Sequence, residues 1–265
     1  MKKLLAIVLT VSVGGACLCG NAVAVREETY CDSGVMPLAA TSEKIYYENK
    51  TEDKFNMALR APSYTTSPYT ASCACVAGAN VIGFYDRYDE NLIPNHTAGR
   101  VFLGQYMYNP EDIYITELVK QLYEDMGTDS TGTTVRQFKN GMTKFSERKG
   151  KTIEFTSCMK NGKLDYAAAK SYMKANQPVV LFCLGYNIAN LSAGDKCDTV
   201  DYMEYTANHV MVGFGWKELN YQLSATASAV YQYVEVASGT DGRSSGLYNV
   251  SYKTKINDAY AINIY

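Results

Sequence analysis

The chain has 265 residues, of which 47% are apolar, 20% charged and 12% aromatic, a balance that excludes the disordered, collagen-like and coiled-coil classes and suits one core-bearing domain. Its 25 basic and 27 acidic side chains leave a formal charge of −2, and no Lys/Arg-rich run stands out. The composition therefore carries no electrostatic mark of a nucleic-acid partner or an anionic surface.

In chain order, Lys2 and Lys3 precede the apolar run LLAIVLTVSVGGACLCG, and Ala22-Val23-Ala24 forms an A-x-A site. This pattern predicts a secretory signal peptide over residues 1–24. The run is shorter than a spanning helix requires and rich in small residues. A lipoprotein signal at Cys17 or Cys19 would usually carry leucine where Gly14 stands. The mature protein is therefore expected to be secreted or displayed at the cell surface, with no membrane partner after cleavage. Loss of the two lysines makes it more acidic. Residues 25–62 are polar and of mixed pattern, and read as an N-terminal extension or pro-like segment ahead of a domain over 63–265.

SYTTSPYTAS (63–72) is a Ser/Thr/Pro loop ending in residues that cap helices. A helix is predicted from Val76 to about Tyr88, with Ala77, Val81, Phe84 and Tyr88 on one stripe. DENLIPNHTAG reads as a polar loop and His96 within it as a solvated side chain. Ile115, Leu118, Leu122 and Met126 mark a second helix, and Val135, Phe138, Met142 and Phe145 a third, joined by a Gly/Thr turn. Beyond residue 150 the texture turns to strands. KTIEFTSC, PVVLFCLGY, NHVMVGFGW, YQYVEVASG, GLYNVSY and AYAINIY suit an antiparallel sheet, with a short helix over DYAAAKSYMKAN and a long polar loop over 187–207. Helices first and strands afterwards give the α+β class, divided near residue 150.

Six cysteines follow the signal: Cys31, Cys73, Cys75, Cys158, Cys183 and Cys197. Export would let them form three disulfides, whose pairing the sequence leaves open. Cys73 and Cys75 lack companions at ligand spacing, so no metal or other cofactor is expected. Cys73 also sits just ahead of a helix, where the positive end of the helix dipole favours thiolate. An imidazole base for it must be His96 or His209, the only histidines, and His209 opens a strand. The plainer reading of Cys73 and Cys75, as buried or bridged residues, stays open.

CACVAGANVIGFYDRYDENLIPN resembles the cysteine motif of the double-glycine (bacteriocin-processing) peptidase-like branch of the papain-like cysteine peptidases, and QPVVLFCLGY and NHVMVGFGW are similar to its later strands. The resemblance implies a helical half carrying the Cys73 helix, packed against an antiparallel sheet half carrying the His209 strand. It implies Cys73 as nucleophile and His209 as base, with Cys75 where proline is usual. The orienting Asp of the family has no direct counterpart in VEVASGTDG, so the third role lies between Asp241 and Ser238. The usual oxyanion glutamine is also missing, and Ser67 or a nearby threonine would replace it. The implied function is an exported hydrolase cleaving peptide or isopeptide bonds of a peptide or protein substrate through an acyl-enzyme, without a cofactor. A catalytically inactive exported binding module and a disulfide-stabilised structural protein are the alternatives. Oligomeric state is not legible.

Overall fold

The computed structural model describes residues 27–30, 39–57, 62–65, 67–239, 245–252 and 255–265. Residues 1–24, read from sequence as a signal peptide, Cys31 and Asp241 lie outside them. In chain order the elements are β1 (Thr29–Tyr30), β2 (Ala39–Tyr46), β3 (Asn49–Asn56), α1 (Cys73–Asp86), β4 (Gly99–Phe102), β5 (Gln105–Tyr108), α2 (Ile113–Met126), β6 (Thr133–Thr134) and α3 (Val135–Arg148). There follow β7 (Ile153–Ser157), β8 (Met159–Lys160), β9 (Lys163–Leu164), α4 (Tyr166–Lys174), β10 (Val179–Ser192), β11 (Cys197–Gln222), β12 (Ser228–Ala237), β13 (Gly246–Asn249) and β14 (Lys255–Ile264).

α2 and α3 form where the apolar stripes predict them, whereas α1 is shifted towards its start and Tyr88, read on its stripe, follows its end and is exposed. Asp112 caps α2 through hydrogen bonds accepted from Tyr114 N and Ile115 N. Thr134 and Gln137 close a capping box on α3. All 14 residues of α1 are buried, because α2 and α3 lie against it on one side and β11 on another. Two glycines allow this closeness: a Cβ on Gly141 would lie 2.4 Å from Met126 Cγ, and one on Gly78 2.9 Å from Met142 Sδ.

The sheet is where the structure departs from the expected division. Its eight strands are antiparallel, in the order β2-β11-β12-β13-β10-β14-β7 with β3 also on β11. β10 pairs with both β11 and β13, so that β11, β12, β13 and β10 close on one another. This mostly antiparallel architecture is not a papain-like helical half packed on a sheet half. Two sequence segments account for the difference. Residues 39–56, read as an extension, supply β2 and β3 and run along β11 from Cys197↔Tyr46 to Glu204↔Ala39 and from Gly215↔Asn56 to Gln222↔Asn49. Residues 187–207, read as a loop, mostly continue β10 and open β11.

Polar strands survive there because their charged and tyrosine side chains find partners. Asp198 is fully buried, yet it accepts hydrogen bonds from Lys50 Nζ at 2.6 Å, Tyr221 OH at 2.7 Å and Tyr47 OH at 3.2 Å. Burial pushes its carboxyl up, but the Lys50 and Tyr221 contacts outweigh that and hold it below the usual range.

Strand alternation sorts the core into faces. Val180, Phe182, Val210, Val212 and Phe214 pack with α1, α2 and α3. Val179, Leu181, Cys183 and Met211 pack with Tyr166, Ala169 and Met173 of α4. Helices therefore cover both faces.

Candidate functional site

Cys73 is the first residue of α1, and Ser72 before it gives no side-chain cap; its hydroxyl donates instead to Tyr69 O at 3.0 Å. Cys73 lies in the α1 cluster with Val210 and Val212 and is 1% exposed. Cys75 turns elsewhere: its sulfur lies 3.4 Å from Thr128 Oγ1 and 3.8 Å from Met126 Sδ, at the end of α2. The five described cysteines are thiols. Burial pushes the Cys158 thiol up to about 11 and the Cys183 thiol up to about 12, which keeps both protonated and unreactive at neutral pH. Ser67, considered as an oxyanion donor, closes a local turn on Tyr69 through both N–H and carbonyl.

His209 is wholly buried on β11. Its cross-strand partner is Cys183, and its ring stacks on Tyr186 at 4.6 Å between centroids. It thus belongs to the face opposite the one where Val210 and Val212 meet α1. Nε2 lies 2.5 Å from the main-chain oxygen of Ser238. A carbonyl can only accept, so Nε2 carries the proton and Nδ1 is the basic nitrogen of the neutral ring. Ser238 therefore stands behind the histidine through its backbone rather than its hydroxyl. Asp241 lies outside the described residues.

The neighbourhood has a particular opening. β2 pairs with β11 only up to Glu204, and β12 pairs with it only from Val212. Through the interval between them passes the segment after β12. Ser238 holds the His209 ring, and a Cβ built on the next residue, Gly239, would lie 3.4 Å from Val76 Cγ1 of α1. Val76 is one helical turn from Cys73 and is joined to Ser72 by the first helical hydrogen bond, 3.0 Å. Ser238 and Gly239 thus connect the His209 ring to the Cys73 helix, but the two side chains lie on opposite faces of β11 and are not brought together.

The second histidine corrects its sequence reading. His96 is 4% exposed, with Nδ1 2.8 Å from Asp112 Oδ2 and Nε2 3.3 Å from Tyr64 OH. Asp112 serves the α2 cap with its other oxygen, so one carboxylate holds both a helix start and the imidazole. Nearby Asp86 is fully buried; one oxygen accepts from Ile93 N at 2.8 Å and the other has no hydrogen-bond partner. Burial raises its pKa to about 6, partly offset by the Ile93 N–H and by His96. Tyr64 is anchored to α1 by Asn80, which accepts from Tyr64 N and donates to Tyr64 O. Burial drives the Tyr64 phenol far above its ordinary pKa, so the tyrosine at the end of this series stays protonated. The one sequence signal for it was the helix-capping aspartate.

Among the described residues no group of His, Cys, Asp or Glu is arranged to hold a metal ion. No described helix is long and apolar enough to cross a membrane. No family model, no curated protein and no solved structure matches the chain.

Proposed function

We propose that the protein is an exported thiol hydrolase that cleaves peptide or isopeptide bonds, with Cys73 as nucleophile and His209 as base. The observation that carries this reading is the hydrogen bond from His209 Nε2 to Ser238 O, which leaves Nδ1 as the basic nitrogen and ties the ring to the segment that reaches the Cys73 helix through Gly239. The proposed reaction requires the His209 ring to swing from the Cys183 side of β11 to Cys73, where Nδ1 takes the thiol proton and the thiolate attacks the carbonyl carbon. Main-chain N–H groups at the start of α1 receive the developing oxyanion. The imidazolium then protonates the departing amine, and water releases the thioester with His209 again as base. Ser238, acting through its carbonyl, is a positioning residue that holds the ring's tautomer.

A second reading, an exported binding module without catalysis, is favoured by the burial of both residues, 1% exposed for Cys73 and 0% for His209. Treatment of the folded, secreted protein with iodoacetamide or a peptidyl epoxide, followed by peptide mapping, separates the two. The hydrolase reading expects preferential labelling of Cys73 and loss of peptide cleavage in Cys73→Ala. An intact Cys73 thiol after prolonged treatment would leave the binding module.

A further inference from the structure

We propose that the β4–β5 hairpin is a membrane-contacting tip that enters the headgroup boundary of an anionic lipid bilayer. The hairpin forms a two-stranded sheet of its own and, among the described residues, pairs with no other strand. Its end carries three consecutive apolar side chains, Val101, Phe102 and Leu103, which are 69%, 55% and 87% exposed. Scattered exposed apolar residues are common, but three in sequence at the end of a projecting hairpin make a contact surface.

The turn supports the same reading. Leu103 and Gly104 both have positive φ, 49° and 74°, as a two-residue hairpin turn of the primed kind requires. Asn or Asp is the usual first residue of such a turn, and leucine there is strained. No intramolecular packing rewards it, since the side chain stands in solvent. A leucine kept under backbone strain with its side chain 87% exposed is explained by what it touches outside the molecule.

The base of the hairpin selects lipid over an apolar protein groove. Arg87 lies over the rings of Tyr88 and Tyr106, 4.6 and 4.5 Å from their centroids, and Arg100 is exposed one residue before the tip. Tyr106 faces Val101 across the hairpin, so apolar side chains, a tyrosine and two arginines gather at one end and suit the acyl chain, interface and phosphate of a bilayer surface. Glu90 is the exposed acidic residue acting on Tyr106, and the two arginines outnumber it. Contact of this kind would hold a secreted protein reversibly at a surface, which the composition alone did not suggest.

The test uses the mature chain with Phe102→Trp as a reporter, Trp216 being buried and remote from solvent. Vesicles of phosphatidylcholine with about one third phosphatidylglycerol should shift the tryptophan emission to the blue and co-sediment the protein. Vesicles of phosphatidylcholine alone should do so more weakly. Leu103→Asp, which alters no core residue, should lower the partition coefficient at least tenfold with an unchanged circular dichroism spectrum, and Arg100→Gln should flatten its salt dependence. The proposal is overturned if neither vesicle binds the protein, or if Leu103→Asp binds as well as the parent. It is also overturned if the blue shift occurs without vesicles and follows a concentration-dependent dimer that Leu103→Asp abolishes, since a second copy would then cover the tip.

Discussion

Asp86 shows how a single side chain sets a pH dependence for this fold. Its pKa rises from an ordinary 3.8 to about 6 because folding removes it from water. The folded state therefore holds the proton more tightly than the unfolded chain. Below the unfolded pKa both states are protonated and folding carries no penalty. As pH rises through the folded value, stability is lost. Asp86→Asn keeps an oxygen for the Ile93 N–H and removes the charge. It should stabilise the protein by on the order of 2–3 kcal/mol near pH 8 and have almost no effect near pH 3.5. Thermal melts of both proteins followed by circular dichroism at the two pH values check this. The same cluster shows what a sequence hides at this scale. His96 sits in a polar string, LIPNHT, and its partner Asp112 lies 16 residues on, so nothing local indicates burial.

At the scale of elements, helices were the more legible part, because each stripe states its own period. The core positions read for α2 are all buried, as are Phe138, Met142 and Phe145 of α3. The observed α1 begins at Cys73 and ends at Asp86, displaced from the predicted span because Ser72, not a later residue, opens it. What no stripe could show is how closely the helices approach. Gly141→Ala would place a methyl group 2.4 Å from Met126 Cγ and against its backbone. This overpacking should cost about 1–3 kcal/mol, read as a lower urea midpoint with unchanged slope. The polar strands were illegible for a different reason: their stability comes from pairing across the chain. Lys50→Met leaves the Asp198 carboxylate buried beside two tyrosines. By the usual cost of an uncompensated buried charge it should lose about 3 kcal/mol or more. Lys50→Met with Asp198→Asn should recover most of that loss in the same urea titration.

For the whole molecule, the main consequence of the sheet is that its two ends of chain are interdependent. β2 and β3 run along both halves of β11, so the segment that reads as a lead-in is part of the sheet that carries His209. A chain beginning at residue 58 should be insoluble or lack a cooperative melt, whereas one beginning at residue 25 should fold. Expression of both with circular dichroism distinguishes these outcomes. The proposed pairing of Cys73 with His209 rests on the largest-scale feature of all, the interval in β11 where Ser238 and Gly239 link the histidine to α1. From sequence Cys73 lies just ahead of a helix and His209 at the start of a strand, whereas Cys73 is the first residue of α1 and His209 sits in the middle of β11; strand alternation, which turns His209 to the side of Cys183 and Tyr186, depends on a register only the sheet defines. The most direct measurement is the rate of iodoacetamide alkylation of Cys73 as a function of pH, in the parent and in His209→Gln, whose amide can still donate to Ser238 O. A thiol activated by His209 reaches its full rate well below the ordinary thiol pKa of about 8.5 and loses that low-pH reactivity in the variant. Identical profiles for the two proteins, or no alkylation of Cys73 while the fold is intact, would contradict the account.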